Sequence, residues 1–376
     1  MRILLLAPHP LYSERGSPIA TALLLRALSE LGNHSVDVLA FPEGSDLNYQ
    51  RVNIERLPDF RWLRRVKPGF SFKKLVLDLL MLKRCLRLCW TERYDVVHCV
   101  EETVYIGMLL KFFFALPYVY DMDSSLAQQM VERFPLLRFV SFFLTACERL
   151  AISNSMVVVP VCPVLTERAL SFGASRVQTL HDITLLKKPR QPSGIKNQLI
   201  DQSLLLLYVG NFEAYQGIEL MMESFAIVAP DFPRARLVVA GQGDSHRLES
   251  LTRRLNITHA VRFIGPWPLE RLAELLADAD ILISPRVKGT NTPMKLYSYL
   301  HSGKPVLATR LQTHTQIISE SEAALAEPTP SKFALAMRAL MKDKESRQAL
   351  GRAGQALVEK RYTYRQFLKT VEGIYP

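Results

Sequence analysis

The sequence predicts an α/β fold built from two doubly wound domains in tandem. Three observations point there. Short apolar runs alternate with helical patterns, the series begins again after a charged, proline-containing stretch, and 376 residues suffice for two separate cores.

In the first half, RILLLA (residues 2–7) reads as a strand, and a loop through Gly16 leads into the helix SPIATALLLRALSELG. HSVDVLAF is a second strand. YDVVHCV and LPYVYDMD are strands ending in polar residues, with a helix between them. PLLRFVSFFLTACERLAI follows as a helix, then the strand SMVVVP. The nearest approach to a membrane span is TVYIGMLLKFFFALPYVY, residues 103–120. Lys111 and Pro117 interrupt it short of the roughly 20 apolar residues a span needs, so it is expected to be a buried helix followed by a strand.

LLKKPRQPSGIKNQ is the linker candidate. It divides the chain into domains 1–185 and 186–360, with a terminal helical region, 361–376, expected to return to the first domain. The second half runs LLLLYVG, GIELMMESFAIVAP, ARLVVAG, HRLESLTRRLN, AVRFIG, LERLAELLADA, DILISP and VLAT in regular alternation. A cleft between two such domains is the default site.

Composition narrows the function classes. An apolar fraction of 48% indicates a globular chain. Five cysteines, Cys85, Cys89, Cys99, Cys147 and Cys162, form no CxxC pair, which argues against a disulfide framework or zinc site and for a reducing cytosol. ILLLAP is too short for a secretory signal. The net charge of +11 is uneven: residues 51–93 hold twelve basic against four acidic residues, interleaved with Trp62, Phe70, Phe72 and Trp90. That mixture suits either an anionic membrane surface or a plain solvated face. No motif for nucleic acid accompanies it.

Glycine-bearing turns at strand ends carry the candidate chemistry. In SERGSPIA, Gly16 precedes a helix whose amides could face a phosphate or sugar hydroxyl, unless it is a plain turn. Gly210 opens the turn of YVGNFEAYQGIELMMESF, and VVAGQGDSHRLESL carries a GxG. In KGTNTPMKLYSYLHSGKPVLAT, Gly289, Thr290, Asn291 and Thr292 run into a helix. Amides, hydroxyls and the helix dipole there favour an anion, and Lys295 adds a charge able to offset a leaving phosphate. The plainer reading is an N-cap by Thr292 with Pro293 at the first helical position. At the end of YVYDMDSS, Asp121 and Asp123 stand two residues apart, and capping of the helix SSLAQQM is the alternative for either. His98, Glu101 and Glu102 end the preceding strand, and His9 and His181 are further histidine candidates.

The series from LLLLYVGNFEAYQGIELMMESF through RLVVAGQGDSHRLESLTRRLNITHAVRFIGPW, LAELLADADILISP and GKPVLAT resembles the retaining glycosyltransferases of family four, which have the GT-B fold. APHP, LSELGNHSVDVLAF and YDVVHCV agree more loosely, and VQTLHDIT resembles the crossover between domains. The resemblance implies two Rossmann-like domains facing a cleft, with a nucleotide diphosphate sugar on the C-terminal domain across from the acceptor. The family's Glu-x7-Glu pattern falls on Thr290 and Ser298, and its diphosphate-binding Arg and Lys fall on Asn211 and Gln216. The strand that ends in the family's catalytic-region histidine ends here in Asp121 and Asp123, which would orient the acceptor or stabilise positive charge on the sugar. Gly16, Gly210, Asn211, Gln216, Arg286, Thr290, Asn291, Thr292, Lys295 and Ser298 are assigned to the donor.

The expected function is a retaining hexosyl transfer from a nucleotide sugar to a glycan or lipid-linked acceptor in envelope polysaccharide or glycolipid synthesis. It needs no metal or cofactor and takes place in the cytoplasm or on the inner face of the membrane, docked through residues 51–93. The alternatives are a non-catalytic scaffold subunit, prompted by the four departures, and a nucleotide-sugar epimerase of related fold.

Overall fold

The computed structural model describes residues 1–11, 16–45, 47–64, 66, 71–184, 186–187, 191–199 and 204–375. Parts of the basic segment 51–93 and of the predicted linker fall outside these. The chain forms two compact units, one of Met1–His181 with Arg365–Pro376 and one of Asp182–Tyr364. The breaks thus lie at 181/182 and 364/365, against expected breaks after 185 and 360.

In the first unit the order is β1 (Arg2–Ala7), α1 (Gly16–Leu31), β2 (Ser35–Ala40), β3 (Val52–Arg56), α2 (Phe72–Thr91), β4 (Val96–Val100), α3 (Val104–Phe114), β5 (Tyr118–Met122), α4 (Leu126–Arg133), α5 (Ser141–Ser153), β6 (Val157–Pro160) and α6 (Pro163–Ser171). Its sheet is parallel, in the order β3-β2-β1-β4-β5-β6. β3 was not anticipated, because VNIER is a polar edge strand. β4, by contrast, is buried along its whole length. Helices cover both faces of such a sheet, which is why its inner strands read as unbroken apolar runs.

The second unit contains β7 (Leu204–Val209), α7 (Ile218–Val228), β8 (Ala235–Ala240), α8 (Ser245–Arg254), β9 (Val261–Gly265), α9 (Leu272–Asp278), β10 (Ile281–Ser284), α10 (Met294–His301), β11 (Val306–Thr309), α11 (Gln312–Thr315), β12 (Ala324–Ala326), α12 (Pro330–Lys342) and α13 (Lys344–Arg361). The final helix, α14 (Tyr364–Glu372), carries the chain into the first unit. The second sheet is ordered β12-β11-β10-β7-β8-β9 and is also parallel. Both sheets therefore follow the same winding, in which the first strand is flanked by the second and the fourth. Ligands of such sheets bind beyond the strand C-termini where the winding reverses. Those places are the ends of β1 and β4 in one unit and of β7 and β10 in the other.

Among the described residues, no helix is long and apolar enough to cross a membrane. Residues 104–114 do form a helix, but only one side of it is buried. Val104, Ile106, Gly107 and Leu110 face the core, whereas Phe112 and Phe113 are exposed, contrary to the expectation of a buried helix.

Candidate functional site

In the first unit, acidic side chains gather at the ends of β4 and β5. His98, fully buried on β4, donates from Nε2 to Asp121 Oδ2 on β5 at 3.2 Å. Its Nδ1 accepts from the Tyr375 hydroxyl at 2.8 Å. One neutral tautomer, protonated on Nε2, satisfies both bonds, so Tyr375 orients the ring that holds Asp121. Tyr375 lies 277 positions from His98, and no local pattern links them.

Asp123 meets the start of α1, where the Ser17 hydroxyl donates to it, and Gly16 is the neighbouring residue. Gly16 therefore belongs with Asp123 in the first unit. A Cβ at Gly16 would touch none of the described residues. Neither aspartate caps α4, because Ser125 does, accepting from the Gln128 amide. Glu101 turns the chain at the end of β4 with φ +52°, a left-handed conformation that costs a non-glycine residue on the order of 1–3 kcal/mol. Its carboxylate accepts from Ser124 at 2.9 and 3.1 Å.

The electrostatics of this cluster are those of crowded, buried acids. Burial first, then the charges of Asp123 and Glu102, push Glu101 well above the usual carboxylate range. Burial and then Asp121 push Asp123 up as well. Lys74 on α2 pairs with Glu102 at 2.5 Å. His9, at the end of β1, is bonded to Thr21 at 3.2 Å and held down to about 3 by burial and then by Lys74, so it stays neutral.

Asp78, one turn beyond Lys74, is pushed up to about 7 by burial and then by Glu102, against the pull of Lys74. An acid raised in the folded state stabilises fully only below its unfolded pKa of about 4, and that stability is lost as pH rises towards 7. Asp78→Asn is thus expected to melt above wild type at about pH 8, by at most about 4 kcal/mol, with the gap closing near pH 4. A gap that stays constant across that range, followed by thermal melts, would show that Asp78 is not the buried acid responsible.

In the second unit the side chains converge where β7 and β10 end. The Tyr299 hydroxyl on α10 accepts from the Val209 amide at 2.7 Å and donates to the Val209 carbonyl at 3.3 Å. That latch fixes α10 against the end of β7 and sets Lys295, one turn earlier, beside Gly210. Lys295 Nζ donates to Gln216 Oε1 at 3.0 Å and stands 4.0 Å above the centre of the Tyr208 ring. A Cβ at Gly210, whose φ is +153°, would lie 3.0 Å from the Tyr208 hydroxyl and 3.1 Å from Lys295 Nζ, so glycine makes room for the ammonium. Burial, then the charge of Arg286, holds Lys295 well below the ordinary lysine range.

Arg286 is buried after β10, stacked 5.1 Å from the Tyr215 ring centre. It donates to the carbonyls of Lys288 and Asn291 at 2.8 and 3.1 Å and to Asn291 Oδ1 at 2.9 Å. Arg286 and Asn291 thus shape the loop at the end of β10. Beneath them, a neutral His314, held down to about 3 chiefly by burial, links Ser284 and Thr309, and the Thr309 hydroxyl donates to the Arg286 carbonyl.

The expected cap at Thr292 is not formed. Pro293 itself is the N-cap, with no side-chain cap bond, and the buried Thr292 hydroxyl lacks a partner among the described residues. The Thr290 carbonyl accepts from Gln316 at 3.0 Å. Asn211 has an exposed side chain, and its carbonyl accepts from Tyr208 at 2.8 Å. Ser298 is buried one turn beyond Lys295. Gly210, Gln216, Arg286 and Lys295 therefore come together, while Gly16, Asp121 and Asp123 belong to the other unit. The tyrosine floor of Tyr208 and Tyr215 had no motif to announce it.

Comparisons with known proteins agree on what these two units are. Residues 15–181 match the glycosyl transferase 4-like domain and residues 191–357 match glycosyl transferases group 1. The chain carries two glycosyltransferase domains, 4-like and then group 1. An uncharacterised glycosyltransferase of Methanocaldococcus jannaschii is 26% identical, over 68% of this chain and 66% of its own. A phosphatidyl-myo-inositol mannosyltransferase of Mycobacterium leprae is 24% identical over 45% of this chain and 46% of its own. The chain spans less than two thirds of either relative's length. Anabaena HepE, solved in complex with UDP, superposes with a TM-score of 0.76 at 14% identity, covering 99% of both chains, and shows the GT-B fold.

Against this glycosyltransferase family, the departures at Asn211, Gln216, Thr290 and Ser298 take on a spatial meaning. Gln216, where the resemblance places a lysine, is the residue that Lys295 touches. A lysine side chain thus reaches that point from α10.

Proposed function

We propose that the chain is a retaining glycosyltransferase that moves a sugar from a nucleotide diphosphate sugar to a hydroxyl of a glycan or lipid-linked acceptor, in envelope polysaccharide or glycolipid synthesis. The two glycosyltransferase domains support the transfer. The observation that carries the donor is Lys295, set against Gly210 and Gln216 at the strand ends where such sheets bind phosphates. The UDP held by HepE and the lipid in the mannosyltransferase's name support the two substrate classes.

In this reading the acceptor oxygen bonds to the sugar's anomeric carbon on the face the diphosphate leaves. The diphosphate departs with the bonding electron pair and takes the acceptor's proton. Lys295 offsets the charge that develops on it, and Asp121, fixed by His98, orients the attacking hydroxyl. Charge neutralisation by Lys295 and backbone amides leads us to expect transfer in the presence of EDTA. Calorimetry with a panel of UDP-, GDP- and ADP-sugars should find one donor that binds, and silence across the panel would sink the reading. A scaffold role is the second reading, favoured by the four departures.

A further inference from the structure

The largest unexplained feature of the first unit is its outer helical layer. Residues Pro135–Val140 form a single 3-10 stretch, PLLRFV, in which no side chain is buried. Leu136 is 81% exposed and Phe139 88%, and Phe142 at the start of α5 is 78% exposed. α3 packs against α5 and adds Phe112, 82% exposed, with Phe113 set edge-on to it at 5.1 Å. Isolated exposed apolar residues need no explanation, but a contiguous group of protruding phenylalanines and leucines does.

The charges around it are mostly basic, with Glu132 the exposed acid beside Arg133. Lys111, Arg133, Arg138 and Arg149 are exposed in the same segments. Between residues 133 and 150 the sole acid is Glu148, which is buried and paired with Arg168. Arg133 and Arg138 have no carboxylate partner among the described residues. A second copy of the chain docked through this face would bring cations against cations. A bilayer surface with anionic headgroups takes both the phenylalanines and the arginines, the former at the acyl boundary and the latter on the phosphates.

We propose that the face formed by α3, residues 134–140 and α5 docks the protein on an anionic lipid bilayer. The charge count of the sequence directs attention to residues 51–93, but several cations there are already engaged. Arg84 is paired with Glu55, Lys74 with Glu102, and Arg64 with Asp59. α2 still shows Phe72 and Trp90 to solvent and shares its core with α3 and α5. The docking rests on the proposed function only in making a lipid-linked acceptor its purpose, and the surface itself is independent of that reading.

The test is flotation with phosphatidylcholine vesicles, with and without phosphatidylglycerol. Wild type should float with the anionic vesicles, and less so as salt rises. Phe139→Ser combined with Phe142→Ser should weaken partitioning about tenfold or more, and Arg138→Gln should flatten the salt dependence. Both sets should keep the wild-type melting temperature and donor binding, so that loss of docking and loss of the donor reading are read separately. Three results would overturn the proposal: wild type that ignores anionic vesicles, a double variant that floats unchanged while Trp90→Ser does not, or a wild-type dimer that the double variant turns into monomer without any lipid binding.

Discussion

Replacing Lys295 by Ala should lower turnover about 100-fold or more, and should weaken donor binding together with it. The Lys295 amine lies on Gln216 and the Tyr208 ring, with no carboxylate against it among the described residues. Burial and Arg286 disfavour the charged form in the free protein. A diphosphate placed there would favour it again, so donor binding should take up a proton. The sign follows: affinity is highest where Lys295 is already protonated and falls as pH rises. Calorimetry in buffers of differing ionisation enthalpy reads the proton directly. Lys295→Arg should recover part of the affinity, since it restores charge without the fit. If Lys295→Ala instead preserves complementing function in cells while abolishing donor binding, the scaffold reading gains and the catalytic one is lost.

Asp121→Asn should do the reverse, lowering turnover by about 100-fold while leaving donor affinity within a few-fold of wild type. Asn keeps the shape and still accepts from His98, but lacks the charge that orients a hydroxyl. Tyr375→Phe tests the layer behind it. Without the phenol, His98 Nδ1 loses its donor and the ring can take the other tautomer, which no longer donates to Asp121. We expect a smaller loss in turnover, about 3- to 10-fold, with a shifted pH profile and an unchanged donor KM. A purely structural role for Tyr375 would lower the melting temperature and leave the pH profile in place.

Much of this architecture was legible because parallel strands covered on both faces must be apolar along their length. RILLLA and LLLLYV announce themselves for that reason. VNIER did not, since an edge strand buries too little to show a pattern. α3 was legible as a helix but not as a half-exposed one, because KFFF carries no mark of which side meets a core. The site was legible where chemistry is local, as in Lys295 at a helix start. It was not legible where residues distant in sequence meet. Nothing in the loop YVGNFEAYQG says that its Gln216 meets Lys295, some 80 positions later, at a distance of 3.0 Å. Thr292 misled as a cap because its neighbour, Pro293, occupies that place.

The partnership of Tyr375 with His98 also sets an order of events during synthesis. β1 to β6 leave the ribosome early and have every strand of their sheet, yet the side chain that orients His98 is made only after the whole of the second unit. The cluster of His98, Asp121 and Tyr375 therefore stays incomplete while residues 182–364 are translated. A nascent or truncated chain lacking residues 365–375 would carry a folded-looking first sheet with Asp121 unsupported. The support of Asp121 is thereby tied to synthesis of the second unit.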